Sequence, residues 1–392
     1  MLELTQSPTD PTFVQNPYAF YARARAAAGD LFFWRDYDLP MAVSFDAVNT
    51  LLRDRRFGRE PVVPRTFPPH LAPFYAVETH SMLELDGPRH ARLRGLVLRA
   101  FTKRRIAALG PEIAALAHDL IDRFPAGEFD LIPAFAQRIP IVIICRLLGV
   151  PEEMADDLLA WSHDMVAMYQ ARRDRALEDR AVAATQGFVG FMRSYVDARR
   201  GRPADDLISE LIAAEEEGEK LTTDELITTC ILLLNAGHEA TVHAMANALK
   251  LILERRARAP FLDPERVDAA VEEALRLDPP VHLFTRHAYE DVELFGHRFQ
   301  RGDEVGLLLG AANRDPAIWS DPDRFDPARP VRTNVSFGAG AHFCIGAPLA
   351  RLELATALPV LLARCPRLAL AAPPEYANLY HFHGLTGLNV IL

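Results

Sequence analysis

Apolar residues recur at three- and four-residue spacing among Arg, Glu and Ala over residues 88–123, 131–149, 151–200 and 204–257, the period of helices with one buried face. Strand-like alternation is confined to short stretches near 31–45, 281–309 and 385–392. The pattern predicts a mainly α fold with small β-sheets. No repeat, low-complexity tract or Gly/Ser linker interrupts it. The run Pro61, Pro64, Pro68, Pro69 and Pro73 reads as a stiff, ordered loop, so one domain over residues 1–392 is expected.

The segment from Thr222 to about Arg258 predicts one unusually long helix. Thr222 followed by Glu225 has the spacing of a capping box, and Pro260 supplies a stop. At 1.5 Å per residue the helix would span about 50 Å. Its middle, Leu232 to Gly237, is apolar on nearly all faces, which predicts a course through the interior. Gly237 costs about 1 kcal/mol there relative to Ala. It suits either close packing against another helix or room for a bulky ligand. The adjoining His238-Glu239-Ala240-Thr241-Val242-His243 places its histidines five apart, whereas a zinc-protease helix needs four to bring both to one face. His381 and His383 can share one side of a strand, but without a third ligand nearby they read as pocket or surface residues.

Composition narrows the function. Asp and Glu number 53 against 43 Lys and Arg, leaving a formal charge of −10 and no overall pull toward nucleic acid or anionic lipid. Met1 to Asp10 lacks the basic and apolar regions of a leader, and no stretch reaches the roughly eighteen apolar residues of a membrane span, so a soluble cytoplasmic protein is expected. Cys145, Cys230, Cys344 and Cys365 show no CxxC spacing, which argues against a disulfide framework or a structural zinc site.

Cys344 stands apart from the other three. Gly338, Gly340 and Gly346 surround it, and a helix-forming run with Pro348 in its first turn follows toward Arg364. A helix N-terminus offers unpaired N–H groups and a positive dipole end, both of which favour thiolate over thiol. Such a sulfur can serve as a nucleophile or as a metal ligand.

Phe337-x-x-Gly340-x-x-x-Cys344-x-Gly346, with His342 and Leu349-Ala350-Arg351, resembles the haem-binding signature of the cytochrome P-450 superfamily in its soluble bacterial form. Glu273-Ala274-Leu275-Arg276 resembles the family's ExxR pair. Asn313-Arg314-Asp315-Pro316 and Pro322-Asp323-Arg324-Phe325 resemble its meander, and Ala236-Gly237-His238-Glu239 its oxygen-binding helix motif. With His90-Ala91-Arg92-Leu93-Arg94 upstream, the resemblance covers essentially the whole chain. It implies the P-450 fold with a long central helix across haem b, and Cys344 as the axial ligand of the iron. Phe337, Gly338, Gly346 and Ala236 would then line the cofactor. His90, Arg94, Arg286 and His342 match positions that point at the haem carboxylates. Glu273 and Arg276 would be buried, with Arg324 as the third member of a charged triad.

An axial thiolate favours O–O cleavage, which suits oxygen activation. The resemblance implies a monooxygenase that hydroxylates or epoxidises a small to medium hydrophobic substrate with O2. Its electrons would come from NAD(P)H through a separate ferredoxin and ferredoxin reductase, for which Lys103-Arg104-Arg105 and Arg351 are a candidate docking face. A peroxide-driven oxygenase and a non-catalytic haem-based ligand-binding protein are the alternatives. The candidate catalytic residues are Gly237, Glu239, Ala240 and Thr241. The chain departs from the family at Ala240, where a Thr usually follows the acidic residue. Thr241 lies about 100° further round the helix and does not simply replace it. The implied substrate pocket draws on Glu60 to Ser81, Trp161 to Arg173, Leu233 to Thr241, Val281 to Phe284 and Phe382 to Leu385, with His282 or an Arg to fix a polar end.

Overall fold

The computed structural model describes every residue of the chain except 65, 171–172, 217–220 and 331. Residue 65 of the proline-rich loop and residues 171–172 of the implied pocket therefore lie outside the described residues. The fold is mainly helical with small sheets, as the periodicity predicts, but most long helical stretches are broken by local capping chemistry. Residues 88–123 form Gly87–Ala100, Lys103–Ala108 and Gly110–Asp122. The break after Ala100 is set by Thr102, whose hydroxyl accepts from the Arg105 N–H at 3.2 Å. Residues 151–200 divide into Ala155–Val166 and Arg175–Arg200, the second capped by Asp174 through the Leu177 N–H at 2.8 Å. Residues 131–149 open with a π-turn over Ile132–Ala136 before the helix Arg138–Leu148, which Gly149 ends at φ 84°.

The long helix runs over Thr223–Arg255, with both bonds of the predicted capping box formed at Thr222 and Glu225. It stops short of Pro260: Arg256 leaves the helix in the left-handed region at φ 52°, and Pro260 instead sits in the first turn of the short helix Ala259–Leu262. The helix is buried along most of its length, packed by Arg138–Leu148, Ala155–Val166, Arg175–Arg200, Val267–Leu277 and Ala347–Arg364. Gly237 owes its identity to this packing. A Cβ there would lie 2.8 Å from Cγ1 of Ile144 on Arg138–Leu148, so close helix contact is the operative reason for the glycine.

The largest sheet orders its strands as Glu3–Leu4, Leu31–Trp34, Leu39–Ala42, Glu304–Leu308, Leu283–Ala288 and Phe57–Gly58. A second joins Ala369–Leu370, Asn389–Ile391 and Glu128–Asp130. The two- and three-residue strands are too short to leave an alternating signature. His381 and His383 lie outside the named strands, beside an isolated bridge between Val281 and Phe382.

The segment leading to Cys344 is fixed from the helix Val267–Leu277. Arg276 is buried and pairs with both carboxylate oxygens of Glu273 at 2.7 and 2.8 Å. The third charged member is Arg329, whose Nε donates to Glu273 at 3.3 Å, and not Arg324. Arg324 is exposed and contributes its backbone carbonyl to Arg276 and Arg329. The Asp326 N–H also donates to Glu273, and the turn closed by Arg329 N–H on the Asp326 carbonyl swings Arg329 inward. Asn313 completes the frame, accepting from the Val335 N–H and donating to Ser336, which donates in turn to the Leu275 carbonyl.

Candidate functional site

Ser336 opens directly into the loop of Cys344. The loop is closed by Cys344 N–H on the Phe337 carbonyl at 3.0 Å, and the helix Ala347–Arg364 begins three residues past the sulfur, with Pro348 in its first turn. Gly338 and Gly340 have φ values of 67° and 70°, where side chains are strained. At Gly340 a Cβ would also strike the Leu52 carbonyl. Phe337 is held flat by Arg351, whose guanidinium lies 4.5 Å over its ring.

Cys344 is the only exposed cysteine of the four. It nevertheless sits within the body of the fold, and this desolvation pushes its thiol up. The backbone N–H groups of Gly346 and Ala347, with Arg94 and Arg351 further off, act in the opposite direction. The helix end thus favours the thiolate while burial opposes it, and a bound cation would add to the helix end's effect.

On the long helix, Ala236 is exposed although its neighbours in the helix interior are mostly buried. Ala240, one turn on, is half-buried. These small residues mark an open face. Thr241, about 140° from Ala236 on the helix, is buried. Glu239 is buried too, and its Oε1 lies 2.5 Å from Nδ1 of His163 on Ala155–Val166 and 3.4 Å from Nε2 of His238. Burial opposes the Glu239 charge, but His163 and His238 outweigh it and hold the carboxyl well below the usual range. His163 is correspondingly raised, chiefly by its bond to Glu239. Nothing in sequence spacing connects His163 with Glu239, and the pair was not foreseen.

The four predicted carboxylate-binding residues fall into unlike environments. His90 and His342 have ring centroids 4.3 Å apart, and His342 Nε2 is 2.9 Å from Asp86. Burial, then His342 and Arg94, lower His90 to about 4, so it is neutral near pH 7. Arg94 donates to the Phe343 carbonyl at 2.5 Å, tying its helix to the cysteine loop. Arg286 is 2% exposed, yet among the described residues its guanidinium donates only to the Thr285 carbonyl at 2.8 Å. Burial and the nearby Arg59 lower it to about 10, and it keeps its charge. A buried cation without a paired carboxylate fits an anionic group supplied by a ligand. With the Gly-framed sulfur, it makes the residues present suitable for iron protoporphyrin.

His282 does not serve the expected pocket role. It is fully buried, its Nδ1 is 2.9 Å from the Tyr21 hydroxyl, and burial drives its basicity well down. His383 is also buried, stacked on Tyr376 at 3.7 Å. Of the candidate docking residues, Lys103 and Arg104 are exposed, while Arg105 pairs with Asp205 and Glu210, and Arg351 with Glu272.

The fold and the cysteine site together define a haem-thiolate oxidoreductase. The family profile described as cytochrome P450 matches residues 265–369. The chain is 38% identical over 395 residues to cytochrome P450 monooxygenase PikC of Streptomyces venezuelae, covering 97% of this chain and 91% of the relative. It is 38% identical over 343 residues to mycinamicin IV hydroxylase/epoxidase of Micromonospora griseorubida, covering 85% and 83%. The crystal structure of P450BioI in complex with acyl carrier protein ligated to hexadec-9Z-enoic acid superposes with a TM-score of 0.91 at 32% identity, covering 97% of this chain and 99% of that one. The chain belongs to the cytochrome P450 family, and it is a haem b monooxygenase. Among the described residues no helix is long and apolar enough to cross a membrane.

Proposed function

We propose that the chain inserts one oxygen atom of O2 into a small to medium hydrophobic substrate, as a hydroxylase or epoxidase, with electrons from NAD(P)H delivered by a separate ferredoxin reductase and ferredoxin. The observation that carries this is Cys344, exposed on a glycine-framed loop at a helix start. Haem bound there supplies the oxygen activation and the redox chemistry. Cys344 ligates the iron. Arg286 and Arg94 meet the haem carboxylates as cations, with His90 and His342 as neighbouring donors. Phe337, Gly338, Gly346 and Ala236 leave space for the macrocycle. Glu239 is the acid of the long helix, Ala240 occupies the place of the usual hydroxyl, and Thr241 stands away from the open face. Gly237 acts by letting the helix approach Ile144.

The substrate side contains a polar cluster. Tyr169 donates to Glu78 at 3.0 Å, both within the segments assigned to the pocket, and stacks at 5.8 Å with His381, which directly precedes the last of them. Burial, then Glu84, raises Glu78 to about 7, so it can accept or donate a hydrogen bond near neutral pH. This cluster takes the polar-anchor role that His282 cannot fill. Lys103 and Arg104 are the exposed charges left for an acidic ferredoxin.

The reduced, carbon-monoxide-bound protein should show the red-shifted band of a thiolate ligand, and Cys344→His should abolish it. Product formation with ferredoxin, reductase and NAD(P)H supports the proposal; product only with peroxide, or none with either, overturns it. A substrate is found by screening for the shift of the haem absorption band on loss of iron-bound water.

A further inference from the structure

We propose that Asp278, His282 and His383, none of them assigned to the haem, form a buried structural site for one divalent transition-metal ion of the zinc type. One donor atom from each side chain lies within 4.8 Å of the others. His383 Nε2 is 3.5 Å from Asp278 Oδ1, and the Tyr18 hydroxyl stands 2.8 Å from the same oxygen and 3.3 Å from His282 Nε2. A tetrahedral ion about 2.0–2.1 Å from each ligand sets its donors about 3.4 Å apart, close to the Asp278–His383 spacing. Two imidazoles and one carboxylate select such an ion over calcium or magnesium.

The backbone brings these residues together from distant parts of the chain. Asp278 is the C-cap of Val267–Leu277, and His282 follows it after Pro279-Pro280-Val281. The bridge between Val281 and Phe382, and the bond from the His383 N–H to the Pro280 carbonyl at 2.7 Å, set His383 opposite them. Asn247 on the long helix donates to the backbone carbonyls of Asp278 and His383 at 3.3 and 2.8 Å. Gly310 leaves room for His282, since a Cβ there would lie 2.9 Å from its ring. Asp278 and His282, not His381, are thus the partners of His383.

An unpaired nitrogen points to a ligand. His383 is 4% exposed, and its Nε2 has no hydrogen-bond partner among the described residues. Its ring lies flat on Tyr376, whose hydroxyl donates to Asp278 Oδ2. His282 is fully buried with Nδ1 at 2.9 Å from the Tyr21 hydroxyl, which pairs in turn with the Tyr380 hydroxyl at 2.6 Å. With the proton on Nδ1 given to Tyr21, the Nε2 lone pair faces Asp278 and Tyr18, the arrangement that orients metal-bound imidazoles. The cations beside the site are Arg314, 3.3 Å over the Tyr18 ring, and Lys250, 5.3 Å over the Tyr376 ring. Each has its own carboxylate, Asp323 at 3.1 Å and Glu254 at 2.9 Å, which leaves Asp278 to the ion. With Tyr18 as the nearest fourth oxygen, the ion would staple the helix Pro17–Ala28 to the end of Val267–Leu277 and to the segment around His383.

The test uses untagged, haem-loaded protein stripped with a chelator and titrated with zinc chloride. Wild type should take up one equivalent with submicromolar affinity. Zinc at about a hundredfold its Kd should raise the unfolding temperature by about 3 °C. His383→Phe, which keeps a ring on Tyr376, and Asp278→Asn should each weaken binding by about 100-fold or more, and Tyr18→Phe by about tenfold. His118→Gln, at an exposed histidine elsewhere, should change nothing. Far-ultraviolet circular dichroism checks that the variants fold. X-ray absorption at the zinc edge needs no variant and should show two imidazoles and oxygen ligands at about 2.0–2.1 Å. No stoichiometric uptake, an edge spectrum without two imidazoles, wild-type affinity in His383→Phe or Asp278→Asn, or loss of binding in His118→Gln overturns the site. The monooxygenase reading does not depend on any of these results and stands or falls on the thiolate band.

Discussion

Arg286 and Thr285 are adjacent in one strand, and the only described hydrogen bond of the Arg286 guanidinium is to the Thr285 carbonyl beside it. A cation 2% exposed, which Asp86 and Glu84 stabilise without forming an ion pair with it among the described residues, is a cost to the polypeptide and an attraction to an anionic cofactor. Arg286→Leu should therefore separate the two. Haem affinity should fall by roughly 10- to 100-fold, the loss of a charge-assisted bond, while the haem-free protein unfolds at the same or a higher temperature. Haem titration and calorimetry on both forms check it.

Replacing His90 and Arg94 together by Ala should weaken haem retention while leaving helical content intact. His90 packs its ring on His342 and Arg94 links its helix to the Phe343 carbonyl, contacts that lie outside the hydrophobic core. Haem release to an apoprotein acceptor, read alongside far-ultraviolet circular dichroism, measures both effects.

The charged frame around Glu273 should show unequal sensitivities. Glu273→Gln or Arg276→Met should cost about 3–5 kcal/mol by leaving an unpaired buried charge. Arg329→Ala should cost about 1–3 kcal/mol. Arg324→Ala should stay within about 0.5 kcal/mol, because only its backbone is used. Urea unfolding of the four variants gives the order.

Acid should destabilise the fold through buried neutral histidines. His383 is lowered to about 3, by burial first and then by Arg314, Lys250 and His243. Its folded value lies below its unfolded one. The contribution is therefore complete above about pH 6.5 and is lost progressively as pH falls toward 3, where the unfolded chain binds the extra proton. His383→Phe, which keeps a ring against Tyr376, should flatten stability against pH by about one proton in that window. Equilibrium unfolding from pH 7 to 4 tests the slope.

Ala240→Thr should raise the fraction of electrons recovered in product, and Thr241→Val should do little, because Thr241 is turned from the open face. The added atoms must fit beside the haem, so the gain in coupling can come with weaker substrate binding. Measuring product and peroxide for both variants with one apolar substrate decides it; collapse of coupling in Thr241→Val would make Thr241 the donor.

What the sequence disclosed follows the range over which its signals act. Cys344 and its glycines were legible because their chemistry is local, and the long helix because Thr222 and Glu225 announce its start three residues apart. The breaks within 88–123 and 151–200 escaped because a single cap at Thr102 or Asp174 leaves the apolar period almost undisturbed. Arg324 was mistaken for Arg329 because a motif match ranks residues by position, whereas Glu273 selects them by where a turn delivers the guanidinium. Gly237 left two accounts open until Ile144, far away in sequence, decided between them. His163 had no local mark: an exposed histidine on an amphipathic helix becomes informative only when the opposing Glu239 is known.

The bonds of Asn313 to Val335 and Ser336, and of Arg276 to the carbonyls of Asn313 and Pro322, lie wholly within the polypeptide. The cysteine loop is consequently moored to the helix Val267–Leu277 by ties that the cofactor does not supply, so the sulfur inherits its position from the polypeptide frame.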